Sequence, residues 1–124
     1  MMNPNHIFVD TNILIGAWAG CQNDILCLQY LFSLKGKQLY SSTLSMAQFI
    51  SVFQKRKTND EIRKQVKYLQ TKFNLISFTE KDINKAIDEA SPDIEDNIQY
   101  VLCRKMNCLH FITNNIKDYS YIAL

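Results

Sequence analysis

The sequence predicts an α/β fold in three layers, with a central parallel sheet covered by helices on both faces. Two observations carry this. Short apolar runs alternate with helix-patterned stretches from one end of the chain to the other. Strands interleaved with helices in this way pair in parallel, because each return to the sheet needs a crossover lying on one of its faces. The chain also shows no internal repeat, no low-complexity segment and no composition break. Its 124 residues are therefore read as a single domain, 1–124, large enough to build a core without disulfide staples.

Taken in order, His6–Asp10 reads as a short buried strand ending in an acid, and Asp10 or Thr11 is placed to cap a helix over Ile13–Ala19. A second helix is expected over Asn23–Leu34, with Ile25, Leu28, Leu31 and Phe32 on its apolar side and Gly36 as its stop signal. Gln38–Ser41 reads as a strand. Ser42 or Thr43 then caps a strongly apolar helix over Leu44–Gln54, expected to be buried on most sides. The polar break Lys55–Asn59 precedes a helix to Phe73 carrying Ile62, Val66, Leu69 and Phe73 at helical spacing. Asn74–Phe78 reads as a strand, and Thr79 as the cap of a helix over Glu80–Glu89. Ser91-Pro92-Asp93 starts a last helix, whose apolar stripe is Ile94, Ile98, Val101 and Leu102. Leu109–Thr113 is expected as a final buried strand before a polar turn and a short tail.

Composition narrows the chemistry. A hydrophobic fraction of 47% and a charged fraction of 21% are ordinary for a globular protein. The formal net charge of +2 carries no general polyanion signal, so any nucleic-acid contact must come from a local patch. Cys21, Cys27, Cys103 and Cys108 have no histidine beside them in a zinc pattern, and are expected to be buried free thiols. The first residues hold neither a basic segment nor a long apolar run, and no run reaches the ~20 residues of a membrane span. No signal peptide and no membrane span are expected, which points to the cytoplasm.

In open parallel sheets, ligands bind beyond the carboxyl ends of the strands. The residues there are acids and amides: Asp10, Thr11 and Asn12 after the first strand; Thr113, Asn114, Asn115 and Asp118 after the last; Asp93, Glu95 and Asp96 near a helix start. Clustered carboxylates repel one another unless a cation neutralises them. Hard ions such as Mg²⁺ and Mn²⁺ prefer oxygen ligands, and the set suits metal-assisted phosphodiester hydrolysis. No phosphate-binding P-loop, dinucleotide glycine motif or nucleophile elbow is present, and Asn12 stands where an aspartyl-phosphate phosphatase would carry its second acid. The bland alternatives are also physical: Asp10 as a helix cap, and Asp93, Glu95 and Asp96 as first-turn acids favoured by the helix dipole.

Three stretches together resemble the PIN domain family: Phe8-Val9-Asp10-Thr11-Asn12-Ile13-Leu14, Asp93-Ile94-Glu95-Asp96-Asn97-Ile98-Gln99-Tyr100, and Phe111-Ile112-Thr113-Asn114-Asn115-Ile116-Lys117-Asp118-Tyr119. The resemblance implies a Mg²⁺- or Mn²⁺-dependent ribonuclease, often the toxin of a VapC-type toxin–antitoxin pair, with RNA as substrate, an antitoxin protein as partner and a homodimer as the common assembly. By matching position it implies Asp10 and Asp96 as metal-binding acids and Asp118, or else Asn115, as the late one. Asn12 and Thr113 would be polar supporters. Gln48 stands where the family commonly places a Glu. An amide binds a metal more weakly than a carboxylate, so the number of ions, or the activity itself, turns on this position. Glu95 is the residue that would partly compensate. A module that binds RNA or protein with weakened catalysis is the alternative.

Lys55, Arg56, Lys57, Arg63, Lys64, Lys67, Arg104 and Lys105 are candidates for phosphate contact, although a solvated helix face is the commoner use of such charges. Trp18, Tyr30 and Phe32 are expected in the core or an interface between copies.

Overall fold

A computed structural model of the chain describes residues 1–89, 91 and 93–114. The elements run β1 (Asn3–Val9), α1 (Thr11–Trp18), α2 (Gln22–Ser33), β2 (Gln38–Ser42), α3 (Thr43–Phe53), α4 (Asn59–Lys72), β3 (Asn74–Ile76), α5 (Glu80–Ile87), α6 (Ile94–Lys105) and β4 (Cys108–Ile112). The four strands form one parallel sheet in the order β3-β2-β1-β4. The chain moves outward from β1 through β2 to β3, then crosses back to lay β4 on the other side of β1. That reversal puts a topological switch point between the carboxyl ends of β1 and β4, where open α/β sheets bind ligands. The expected three-layer α/β/α architecture is the one observed.

Side chains alternate across the sheet and divide the core in two. Ile7, Val9 and Leu39 point to one face, packed with Leu14, Leu28, Leu31, Phe49, Phe53, Ile62 and Leu69 from α1 to α4. Phe8 and Tyr40 point to the other, against Ala86, Ile98, Val101, Leu102 and Cys103 from α5 and α6. Trp18 stacks on Phe49 at 5.3 Å between ring centres and meets Phe53 edge-on at 4.6 Å. Phe49 is wholly buried, and truncating such a residue costs about 3–5 kcal/mol.

Several expectations are corrected. β1 starts at Asn3 rather than His6, because Asn3 finds a partner in Cys108 and donates its N–H to Asn107 O at 2.7 Å; pairing outweighs the poor strand propensity of Asn3-Pro4-Asn5. β3 stops at Ile76, since its partner β2 ends at Ser42 and offers nothing further to pair. α3 is less enclosed than its apolar content suggested: Ser45, Met46, Phe49 and Phe53 are buried, while Ala47, Ser51 and Val52 form an exposed strip. Ile94 lies half-exposed in the first turn of α6, outside the buried stripe. In β4, Leu109 and His110 are exposed. Among the described residues β4 has β1 as its one strand neighbour, and its outer positions lack cover. Cys21 is exposed, Cys27 half-buried, and Cys103 and Cys108 buried, all as free thiols. Tyr30 is exposed on α2, whereas Trp18 and Phe32 pack against the core. Among the described residues no helix is long and apolar enough to cross a membrane.

Candidate metal centre

Asp10 sits one residue past β1 and is 4% exposed. Val9 pairs with Ile112, and Asp10 N donates to Ile112 O at 2.9 Å, so Asp10 and Thr113 leave the sheet side by side. Three donors hold the Asp10 carboxylate. Thr11 N reaches Oδ1 at 2.8 Å, while Thr113 Oγ1 and Asn12 Nδ2 reach Oδ2 at 3.0 and 3.1 Å. Asp10 thus caps α1, the structural role weighed for it, and also lines the cleft at the switch point.

Asp96 arrives from α6. Asp93 is the N-cap, its carboxylate accepting from Asp96 N at 3.1 Å. Asn97 anchors this end of the helix, donating from Nδ2 to Ala86 O at 3.0 Å and Ser91 O at 2.9 Å. Asp10 and Asp96 line one cleft of about 280 Å³ with Thr11, Asn12, Ile15, Gln48 and Val52. Asp93 is the N-cap itself rather than one of the first-turn acids it was weighed as. Glu95 is exposed, and its Oε2 accepts from Gln48 Nε2. Asp118 and Asn115 lie outside the described residues. Among those described, no three His, Cys, Asp or Glu side chains converge on one point.

The floor of the cleft is a buried polar network that sequence reasoning largely missed. Gln99, 1% exposed, donates from Nε2 to Thr11 Oγ1 at 3.0 Å and Ser45 Oγ at 2.9 Å, and its Oε1 accepts from Ser42 Oγ at 2.7 Å. Thr11 Oγ1 in turn donates to Gln48 Oε1 at 2.7 Å. These bonds tie α1, α3 and α6 together beneath the two acids. The signal for Gln99 was available: it follows Asp96 by three residues, so both lie on one helix face, and it interrupts an apolar stripe. Ser42 and Ser45 share the same spacing. Asp24 had no signal. It is buried on α2, accepts from Asn114 Nδ2 at 3.3 Å, and lies where a Cβ on Gly16 would come within 1.7 Å of its Oδ2. Asn114 N also donates to Asn12 Oδ1 at 3.4 Å, so this pair buttresses the site from behind.

Thiol chemistry is absent from the cleft. Cys103 donates to Cys108 O at 3.7 Å within the core between α6 and the sheet. A side-chain hydrogen bond with the Cys108 thiol, then burial, holds its thiol well above the ordinary value. The basic residues are partly committed elsewhere. Arg104 pairs with Glu89, and Lys105 with Asp82 at 3.1 Å. Both lie in the last turn of α6, roughly 13 Å along the axis from Asp96 at ~1.5 Å per residue. Lys57 lies over the Trp18 ring at 5.0 Å, and Arg63 pairs with Asp60 at 3.2 Å.

The switch point of this parallel sheet, with two carboxylates among hydroxyls and amides, defines the chain as an α/β protein with an acid-bearing cleft. Comparison with known proteins identifies its family. The PIN domain model matches residues 7–121, and the chain belongs to the PIN domain family. It is 28% identical over 130 residues to Ribonuclease VapC1 of Aquifex aeolicus (strain VF5), an alignment covering 96% of this chain and 88% of that one. Among solved structures, it resembles a toxin–antitoxin complex from Klebsiella pneumoniae with a TM-score of 0.73 at 19% identity, covering 94% of this chain and 92% of that one. It also resembles VapBC2 from Rickettsia felis bound to a DNA fragment from the promoter, with a TM-score of 0.72 at 17% identity over 93% and 91%. The sarcin–ricin-loop-cleaving toxin VapC20 of Mycobacterium tuberculosis superposes with a TM-score of 0.71 at 15% identity over 95% and 98%. At these identities the structural matches speak to the fold.

Proposed function

We propose that the chain, read as one domain over 1–124, is a divalent-metal-dependent endoribonuclease and the toxin of a toxin–antitoxin pair. The observation that carries this reading is the shared cleft of Asp10 and Asp96, acids from separate elements brought together at the switch point of a PIN domain. The donors around it are carboxylate, hydroxyl and amide oxygens, which fit Mg²⁺ or Mn²⁺ and disfavour softer ions. Mg²⁺ is commonly held by one or two carboxylates and keeps several waters, so Asp10 and Asp96 suffice as its protein ligands, with Asp118 assisting. Such an ion, when bound, activates water and offsets charge on the phosphate.

The chain's own residues do the rest. Thr113 and Asn12 fix Oδ2 of Asp10, and Thr11 N fixes Oδ1, so the carboxylate plane is set before a ligand arrives. Pre-set charges of this kind need no reorganisation as the reaction proceeds. Of the candidate cations among the described residues, Lys55, Arg56, Lys64 and Lys67 carry no ion pair or ring contact and are placed to attract the RNA backbone, while Arg63, Arg104 and Lys105 are ion-paired and Lys57 lies over Trp18. An antitoxin protein belongs to the same proposal, supported by the toxin–antitoxin complexes the fold resembles; a homodimer and a cytoplasmic location complete it as what the family resemblance implies.

The test is cleavage of single-stranded RNA with and without Mn²⁺. Outer-shell partners of a metal are typically worth 10–100-fold, so Asp10→Asn and Asp96→Asn are each expected to cost about 100-fold or more. Equal, metal-independent cleavage by native and variant chains would overturn the reading. Gln48 favours a second one, a module that binds RNA or protein without efficient cleavage. Saturable Mn²⁺ binding abolished by Asp96→Asn counts against it.

A further inference from the structure

The cleft of Asp10 and Asp96 has an aliphatic wall that cation chemistry does not use. Thr11, Asn12 and Gln48 line it with oxygen and nitrogen, but Ile15 and Val52 line it with hydrocarbon. A hydrated hard ion gains nothing from such a wall. A lone exposed valine on a helix needs no explanation. This one shares a cleft with both acids and with a second aliphatic side chain.

The wall has a fixed place in an ordered seam. Thr11, at the start of α1, meets Ser45 and Gln48 of α3 through its hydroxyl, at 2.7 Å each. Trp18, at the end of α1, meets Phe49 and Phe53. Contacts advance along both helices together, so α1 and α3 run side by side in one direction. Ile15 follows Thr11 by four residues, and Val52 follows Gln48 by four. Both therefore lie on the faces of those polar residues, one turn further out, roughly 6 Å along the axes. Beyond them the seam turns cationic. Lys55 and Arg56 follow Val52 by three and four residues and are exposed in the turn that closes α3. That turn is well held: the N–H groups of Arg56 and Lys57 both donate to Phe53 O, at 3.0 and 2.9 Å, and Lys57 Nζ lies 5.0 Å from the centre of the Trp18 ring.

From the switch point outward, the seam presents acids for a cation, then an aliphatic wall, then two exposed cations. A ligand that matches this order carries a phosphate, a flat apolar face beside it and further negative charge beyond. A nucleotide within a single strand has that order. In a duplex the base faces are covered by their stacked neighbours, so an unpaired strand is the form that can lay one on a wall. We propose that Ile15 and Val52 seat the nucleobase next to the scissile phosphate, and that the strand leaves the cleft along the α1–α3 seam toward Lys55 and Arg56. The inference rests on the metal-centre reading, which puts the scissile phosphate at Asp10 and Asp96. It adds the direction of the strand and the side chains that select its unpaired state. The contact is with the face of a base rather than its edge, so it selects single strands and not a sequence.

The test is fluorescence anisotropy with a labelled short oligoribonucleotide, single-stranded or annealed to its complement, in the Asp10→Asn background that the metal-centre reading makes uncleavable. Val52→Ala is expected to weaken single-strand binding about fivefold, by loss of apolar contact. Val52→Tyr is expected to tighten it about fivefold or more, since bases stack on aromatic rings, and to leave duplex binding unchanged. Val52 is 37% exposed, so coincident thermal melts are expected for these variants and their parent. Lys55→Ala and Arg56→Ala are each expected to lower the slope of log affinity against log salt by about 0.7, the value of one lost phosphate contact on a single strand, whereas the Val52 variants keep the slope. Single-strand affinity unaltered across the Val52 series, the outcome if a protein partner covers this wall instead, overturns the seated base. Salt slopes unaltered by Lys55→Ala and Arg56→Ala overturn the direction of the strand. Either result on an intact strand leaves the metal centre standing. Cleavage of the strand in the Asp10→Asn background overturns the metal centre and this inference with it.

Discussion

The Thr113 hydroxyl donates to Asp10 Oδ2 at 3.0 Å, linking the residues that follow the two strands flanking the switch point, 103 positions apart in sequence. Asn12 Nδ2 bridges the same pair, reaching Asp10 at 3.1 Å and Thr113 at 3.3 Å. Thr113→Val keeps the shape and removes the hydroxyl. Mn²⁺ affinity is expected to fall about tenfold, as for other outer-shell partners. Stability should fall by only about 1 kcal/mol, the net value of one such bond. Calorimetry and urea denaturation on the same variant measure the two effects.

Gln99→Leu should be the most damaging change in the polar floor. It removes one acceptor and two donors and leaves Ser42, Ser45 and Thr11 facing an apolar group. Buried groups deprived of partners cost about 1–3 kcal/mol, so the urea midpoint is expected to fall markedly, and by more than in Gln48→Leu, whose side chain sits at the half-buried end of the network.

The contrast between these residues shows what the sequence carries. The alternation of strands and helices was legible because period and caps are local. Thr79 opens α5 as its sequence position suggests, and Thr58, read only as part of a polar break, opens α4; both do so with capping boxes. Asp10, Asp96, Asn12 and Thr113 were legible because strand ends and motif order point at them. Burial within a helix was less so: α3 is apolar along its length, yet Ala47, Ser51 and Val52 face outward, since composition does not tell which side meets the sheet. Asp24 was invisible, because its role depends on α2 packing against Gly16 of α1, a contact between elements that no local pattern encodes.

That contact gives the next expectation. A Cβ at Gly16 would overlap the Asp24 carboxylate, and Asp24 is buried with Asn114 as its partner. Gly16→Ala should therefore destabilise the chain by about 1–3 kcal/mol, the usual cost of overpacking, despite the better helix propensity of Ala. A midpoint equal to or above that of the native chain in thermal or urea unfolding would contradict the packing described.

Asp82 predicts a pH dependence. Burial works against its ionisation, but the Thr79 backbone N–H, Lys105 and the Thr79 hydroxyl outweigh it and hold the carboxyl below its ordinary value. A depressed carboxyl contributes stability above its unfolded pKa, near 4, and loses it as the pH falls through the folded value. Asp82→Asn should cost about 1 kcal/mol at pH 7, a typical capping contribution. The gap between native and variant should narrow through the carboxylate range. Denaturation midpoints at neutral and acid pH check the sign.

The central claim is that Asp10 and Asp96 together hold a hard divalent ion. Anomalous diffraction from crystals soaked in Mn²⁺ tests it most directly. A Mn²⁺ peak is expected in the cleft, with carboxylate oxygens of both Asp10 and Asp96 bonded to it. A peak elsewhere, or none in the cleft at a Mn²⁺ concentration that supports RNA cleavage, would contradict it.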